Sequence, residues 1–195
     1  PLDMIDTYGA DALRYTMVLL TPTGQDVTFS DKKVEVGRNF ANKIWNASRL
    51  ALSNMEGFDP DSVQDKDLKL ESIDRWILSR MDETVAAVTE NLEAFRYNEV
   101  VRLLHEFAWG DFCDWYLEFA KGRYYGEDGP EKQTARAVTN RVLSTILHLL
   151  HPVMPFLSEE LWAFLPGSGP RGRMLIGRSW PESDPGLRDG DAGHR

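Results

Sequence analysis

The chain has 195 residues, 42% of them hydrophobic and six of them tryptophan, with 31 acidic side chains against 22 basic ones and a net charge of −9. That is enough apolar material for one sizeable core, which excludes a disordered chain, while the acidity argues against a protein that grips nucleic acid by bulk charge alone. The single cysteine, Cys113, excludes an internal disulfide and suits a reducing compartment, here expected to be the cytoplasm, and no apolar run is long enough for a membrane span or a signal peptide.

Residues 1–8 are short and polar, anchored by Leu2, Met4 and Ile5, and the first residue, Pro1, is what an excised piece would show. Gly9 marks a turn. Residues 10–20 read as a helix with Ala10, Leu13, Met17 and Leu20 on one face, ended by Pro22 and Gly24; Gln25 to Phe29 is strand-like.

A proline-free run from about Ser30 to Asn54 reads as one long helix, with Ser30 or Asp31 as its N-cap and Gly57 suited to the turn after it. At 100° per residue, Phe40, Ile44, Ala47 and Ala51 fall on one side and Arg38, Asn42, Trp45 and Arg49 on the other. The first stripe belongs against neighbouring helices. The second joins two guanidiniums, a carboxamide and an indole, which can contact phosphates, sugars and stacked bases. On the residues alone, the commoner arrangement is a face whose Asn42 and Trp45 cap a crevice and whose arginines pair with carboxylates.

Phe58 to Leu70 is an Asp-rich connector containing Pro60, where Phe58 either tucks back onto the bundle or stands as a stacking platform. Ile73, Trp76, Ile77, Met81, Val85, Val88 and Leu92 predict a second long helix over about 71–92. A third, over 96–122, is interrupted only by Gly110 and is apolar nearly all round, including Trp115 and Phe119, which predicts a central, buried position. It closes on Arg123, Tyr124 and Tyr125, an arginine beside two tyrosines that could stack on unpaired bases. Ala135, Val138, Val142, Ile146 and Leu149 predict a fourth helix over 132–150, ended at His151-Pro152, and residues 156–165 a short fifth. Met174 to Trp180 reads as extended, and residues 182–195 as disordered. The expected fold is therefore mainly all-α: an antiparallel helical bundle over 31–166, preceded by a small helix/strand segment (1–30) and followed by an extended segment and tail (167–195).

The charge is unevenly spread. Residues 31–49 carry Lys32, Lys33, Arg38, Lys43 and Arg49 against Asp31 and Glu35, whereas residues 56–74 carry seven acidic side chains against Lys66 and Lys69. A local basic face on an acidic body can bind RNA while repelling other polyanions. No catalytic constellation emerges. Asp111, Asp114, Glu118, His148 and His151 lack the Glu-x-x-His pairing of di-metal bundles, so no metal site is expected. Cys113 has no catalytic histidine partner, and the glycines at 167–172 have no strand-to-helix context for binding phosphate.

Four stretches carry a family resemblance: Tyr8-Gly9-Ala10-Asp11-Ala12-Leu13-Arg14, the Arg38–Arg49 stretch, Asp111-Phe112-Cys113-Asp114-Trp115-Tyr116-Leu117-Glu118, and Leu149 to Trp162 with His151-Pro152-Val153-Met154-Pro155 at its centre. In this order they resemble the anticodon-binding domain of class Ia aminoacyl-tRNA synthetases. The Arg38–Arg49 and Asp111–Glu118 stretches are more similar to the valyl than to the isoleucyl or leucyl branch, over residues 1 to about 181. The resemblance implies a fragment that binds tRNA(Val) without itself catalysing anything, works beside the catalytic and editing domains of one parent chain, and needs no cofactor, ATP and magnesium belonging to the full-length ligase. It also implies a monomer, and residues 1–30 as a stem-contact segment linking to the catalytic domain. It points to Arg38, Asn42, Lys43, Trp45, Arg49, Phe58, Arg123 and Tyr124 as tRNA contacts. No heptads follow Trp180, where many valyl enzymes continue into a coiled coil. A reading of another class, a helical protein-interaction scaffold, would bury the Arg38/Asn42/Trp45/Arg49 face or tie it to the acidic connector.

Overall fold

The structure is a computed structural model describing residues 2–21, 30–168 and 174–188. Its helices are α1 (Leu2–Tyr8), α2 (Ala10–Leu19), α3 (Asp31–Ser53), α4 (Ser72–Glu93), α5 (Tyr97–His105), α6 (Leu117–Tyr124), α7 (Pro130–Leu150) and α8 (Pro155–Trp162). Residues Glu106–Tyr116 join α5 to α6 as π-helix, and short 3-10 turns occur at 60–62, 65–67, 175–177 and 185–187. There is no strand among the described residues, and the strand-like Gln25–Phe29 segment lies outside them. Residues 2–8, read as a short polar lead-in, form α1.

The core is the set of helix stripes turned inward. Phe40, Ile44 and Ala51 of α3 meet Ile77, Met81, Val85 and Val88 of α4, Leu104 of α5, and Val138, Val142 and Ile146 of α7 in one cluster. Each fully buried large aliphatic or aromatic side chain contributes about 1.5–3 kcal/mol relative to exposure. On α3 the inner stripe includes Ser48, while Ala47 is only half-buried, so the true stripe is turned slightly from the one drawn on the wheel.

The π segment has a cause in the sequence. Leu104, Ala108, Phe112, Tyr116, Ala120 and Tyr124 are all buried, a spacing of four repeated without correction. In an α-helix that spacing would rotate the buried side by about 40° at every step. Over Glu106–Tyr116 the wider i→i+5 turns take up that drift and keep Ala108, Phe112 and Tyr116 facing the core.

The N-terminal segment is knitted into the bundle. Gly37 lets α3 lie against α2: a Cβ there would meet the Ala12 carbonyl oxygen at 2.5 Å and Thr16 Oγ1 at 2.9 Å. The Asp11 carboxylate accepts the backbone N–H of Leu157 at 2.6 Å at the start of α8, and Arg14 donates to the carbonyls of Pro152 at 2.9 Å and Val153 at 3.2 Å. The tail departs from the disorder expected at 182–195. Through Arg188 it is a strap on α4, and residues 189–195 lie outside the description. The physical reason is a buried acceptor: Asp82, 2% exposed, receives Ser183 Oγ at 3.1 Å, the Asp184 backbone N–H and Arg188 Nε. Trp180 Nε1 donates to Thr89 Oγ1 at 2.9 Å, and Glu159 accepts the backbone N–H groups of Leu175 and Ile176.

Candidate nucleic-acid interface

Helix α3 presents the polar stripe outward. Asn42, Asn46 and Arg49 are exposed, and Arg38 and Trp45 are half-exposed. Arg38 lies 3.8 Å from Glu35 and over the Tyr8 ring at 5.3 Å, a loose arrangement that leaves 41% of its side chain in solvent. Among the described residues neither Arg38 nor Arg49 pairs with the acidic connector, one of the two arrangements a scaffold would have. Beside the second half of the stripe, α3 and α8 enclose an open groove of about 880 Å³ walled by Trp45, Leu50 and Phe164 and edged by Asn46, Arg49 and Glu160. Phe164 is 58% exposed. The groove therefore offers flat apolar walls with a cation and hydrogen-bonding groups at its lip, the chemistry a splayed base and its phosphate require.

Lys43 sits on the flank of this stripe. Its ammonium pairs with the Asp114 carboxylate and lies 5.3 Å from the centre of the Trp109 ring. Trp109 ends an aromatic stack that runs inward through His105 at 5.2 Å and Phe40 at 4.9 Å to Tyr15 at 4.9 Å, closed by a 2.7 Å hydrogen bond between the Tyr15 hydroxyl and His105 Nδ1. Burial holds the His105 pKa below its ordinary value, against the weaker pull of Glu106, so the ring is neutral at pH 7.

Three expected contacts are displaced. Phe58 is 7% exposed: Gly57, at φ +71°, turns the chain back so that the ring closes the bundle end beside Pro60, Val63, Leu78 and Val138. It is a core residue and no stacking platform. Tyr124 is 2% exposed, its hydroxyl bonded to Thr139 and its pKa pushed up to about 12 by burial. Arg123 turns inward, where its guanidinium makes a two-pronged bond to Asp74, a carboxylate with no exposed surface. A buried carboxylate needs a partner, and Arg123 is the one that reaches it. Of Arg123, Tyr124 and Tyr125, it is Tyr125, 70% exposed, that faces solvent.

The π segment brings out an aromatic surface that the sequence reading buried. Trp115 and Phe119 are 59% and 58% exposed, their rings 6.3 Å apart and 15° from parallel. Their sequence signal is the company they keep: Asp114, Glu118 and Lys121, polar residues one or two positions from Trp115 or Phe119. The groups weighed as metal ligands are engaged elsewhere, Asp111 with Arg80 at 3.0 Å, His148 with the Ser144 carbonyl and His151 with Ser158. Among the described residues no cluster of three or more such ligands forms. Cys113 is buried, which pushes its thiol up to about 12 and keeps it protonated.

A helical bundle whose outer face alternates cations, carboxamides and exposed aromatics has the make-up of an RNA-reading domain, and sequence comparison fixes its class. The chain belongs to the family described as the anticodon-binding domain of tRNA ligase, whose pattern matches residues 74–193. Within it, the chain is 46% identical over 187 residues to the valine–tRNA ligase of Geobacter sulfurreducens, covering 94% of this chain and 21% of that one. It is 47% identical over 194 residues to the valine–tRNA ligase of Bacillus subtilis, covering 98% and 21%. The chain thus spans about one fifth of the length of these relatives. The fold is similar to part of the Agrobacterium radiobacter K84 agnB2 LeuRS in its ternary complex with tRNA and LeuAMS (TM-score 0.73, 22% identity, 97% of this chain and 21% of that one). It is similar also to Mycobacterium tuberculosis methionyl-tRNA synthetase in its apo form (TM-score 0.69, 21% identity, 94% and 38%).

Proposed function

We propose that this chain is the anticodon-reading module of a valine–tRNA ligase, and that it holds the anticodon stem-loop of tRNA(Val) while a catalytic region elsewhere in the parent chain joins valine to the acceptor end using ATP and magnesium. The observation that carries the reading is the outward stripe of Arg38, Asn42, Trp45 and Arg49 in a domain of this family. The two arginines fix phosphates, and the Trp45–Phe164 groove and the Trp115–Phe119 pair offer faces to unstacked bases. The module contributes position and selectivity, and no side chain in it is asked to do chemistry. It acts as a monomer in the cytoplasm, its partners being tRNA(Val) and the catalytic and editing domains of the same polypeptide.

The test is binding of the 195-residue chain to a tRNA(Val) transcript at two salt concentrations, beside the same tRNA with an altered anticodon. The expected result is preferential binding to the intact anticodon, weakening with salt by a log–log slope of about −0.9 for each phosphate neutralised. Absence of binding at low salt overturns the reading.

A further inference from the structure

We propose that Asp114 is a specificity-determining residue of the RNA face, holding Lys43 in an internal ion pair that only a phosphate fixed by the other contacts displaces. The proposal rests on the RNA-binding reading above. Lys43 of α3 takes its counter-charge from another element, the π segment: its side chain is 32% exposed, that of Asp114 is 46% exposed, and the two meet at the surface. Trp109 under the ammonium, backed by the His105–Phe40–Tyr15 stack, keeps Lys43 from sweeping freely across the solvent. Asp114 is also the immediate neighbour of Trp115, so its charge stands beside the aromatic surface where a base would rest.

The physical consequence is conditional attraction. An exposed ion pair of this kind is weak, so a correctly placed phosphate can break it at a cost of no more than about fivefold in affinity. A polyanion that merely drifts onto the face meets Asp114's negative charge and a lysine already satisfied. Arg38 and Arg49 then supply general attraction, while Lys43 contributes only in a complex whose geometry delivers a phosphate to it. On a protein of net charge −9 this limits adhesion to unrelated RNA without weakening the intended complex greatly.

The experiment compares the wild-type chain with Asp114→Asn and with the double variant Asp114→Asn/Lys43→Ala, measuring affinity and salt slope for tRNA(Val), altered-anticodon tRNA(Val) and an unrelated single-stranded RNA. Circular dichroism checks that each variant is folded. Asp114→Asn is expected to raise affinity for the unrelated RNA up to about fivefold and to steepen its salt slope by about 0.7, one additional phosphate contact on a single strand. The slope for tRNA(Val) stays as it was, because Lys43 is engaged there already, and the double variant loses the gain. An unchanged slope for the unrelated RNA, or a gain that survives loss of Lys43, overturns the role of Asp114. Failure of the wild-type chain to prefer the intact anticodon instead counts against the functional reading, and the unrelated-RNA arm still decides for or against Asp114.

Discussion

Arg123 near the end of α6 grips Asp74 in the first turn of α4 through two hydrogen bonds of 2.6 and 2.8 Å. The same carboxylate accepts the Tyr116 hydroxyl at 2.8 Å and the Glu71 backbone N–H at 2.9 Å, so one buried charge ties two helices and a helix start together. Burial alone would lower the Arg123 pKa, but its bonds to Asp74 outweigh that and hold it above the ordinary value. Tyr116, buried against the same carboxylate, stays a phenol.

Replacing Arg123 with Ala therefore leaves the buried Asp74 carboxylate short of its main partner. The expected loss is about 3–5 kcal/mol of unfolding free energy, measured by urea titration. Affinity of the folded fraction for tRNA should be unchanged. A variant that is fully stable but binds RNA poorly would restore Arg123 to the interface.

Phe58→Ala is expected to cost about 3–5 kcal/mol through the lost apolar surface and the cavity it leaves. Phe58→Leu should recover most of that stability. Both variants should discriminate between anticodons as the unmodified chain does. Loss of discrimination in the stable Leu variant would show that the ring reaches RNA after all.

Trp115 and Phe119 should behave in the opposite way. Each exchange to Ala should alter stability by no more than about 0.5 kcal/mol, as at other surface positions. Each should weaken binding of an unpaired anticodon loop by about 1–3 kcal/mol, the value of one base stacked on an aromatic face. Unchanged affinity in both variants, read by fluorescence anisotropy, would remove the pair from the site.

The strap on α4 carries a pH dependence of known sign. Burial would raise the Asp82 pKa, but the bonds from Arg188, Ser183 and the Asp184 backbone outweigh it and hold the folded value below 3.8. A lowered carboxylate stabilises the folded state fully above its unfolded pKa, about 3.9, and loses that contribution as pH falls through the folded value. Backbone amides of 180–188 should accordingly be protected from hydrogen exchange at pH 7 and lose part of that protection when the pH is taken well below 3.8. Asp82→Asn should show weaker protection with no such step, and a step retained in that variant would place the titrating group elsewhere.

The helices were legible because their apolar spacing is regular: α4 and α7 lie within two residues of their expected limits, and the outward stripe of α3 follows from the same arithmetic. Of the candidate site, only exposure was legible, and only where it follows from helical phase. Arg38, Asn42, Trp45 and Arg49 are where the wheel places them. The burial of Phe58, Arg123 and Tyr124 is not legible in the sequence because it depends on partners distant in it: Asp74 lies 49 residues from Arg123, and Leu78 of α4 and Val138 of α7 close over Phe58. Residues 182–188 were misjudged for the same reason, since a polar tail reads as disordered until the buried acceptor at Asp82 is seen.

The π segment means that the 3.6-residue ruler of an α-helix cannot be laid along the chain from Tyr97 to Tyr124. Counting five α-helical turns, about 18 residues, from the buried Leu104 lands on Gly122, which is exposed, while the buried positions on either side of it are Ala120 and Tyr124. Any engineering of this stretch that chooses surface positions by ordinary helical periodicity will be out of phase beyond Gly110, placing charges into the core and leaving the exposed Trp115–Phe119 surface untouched.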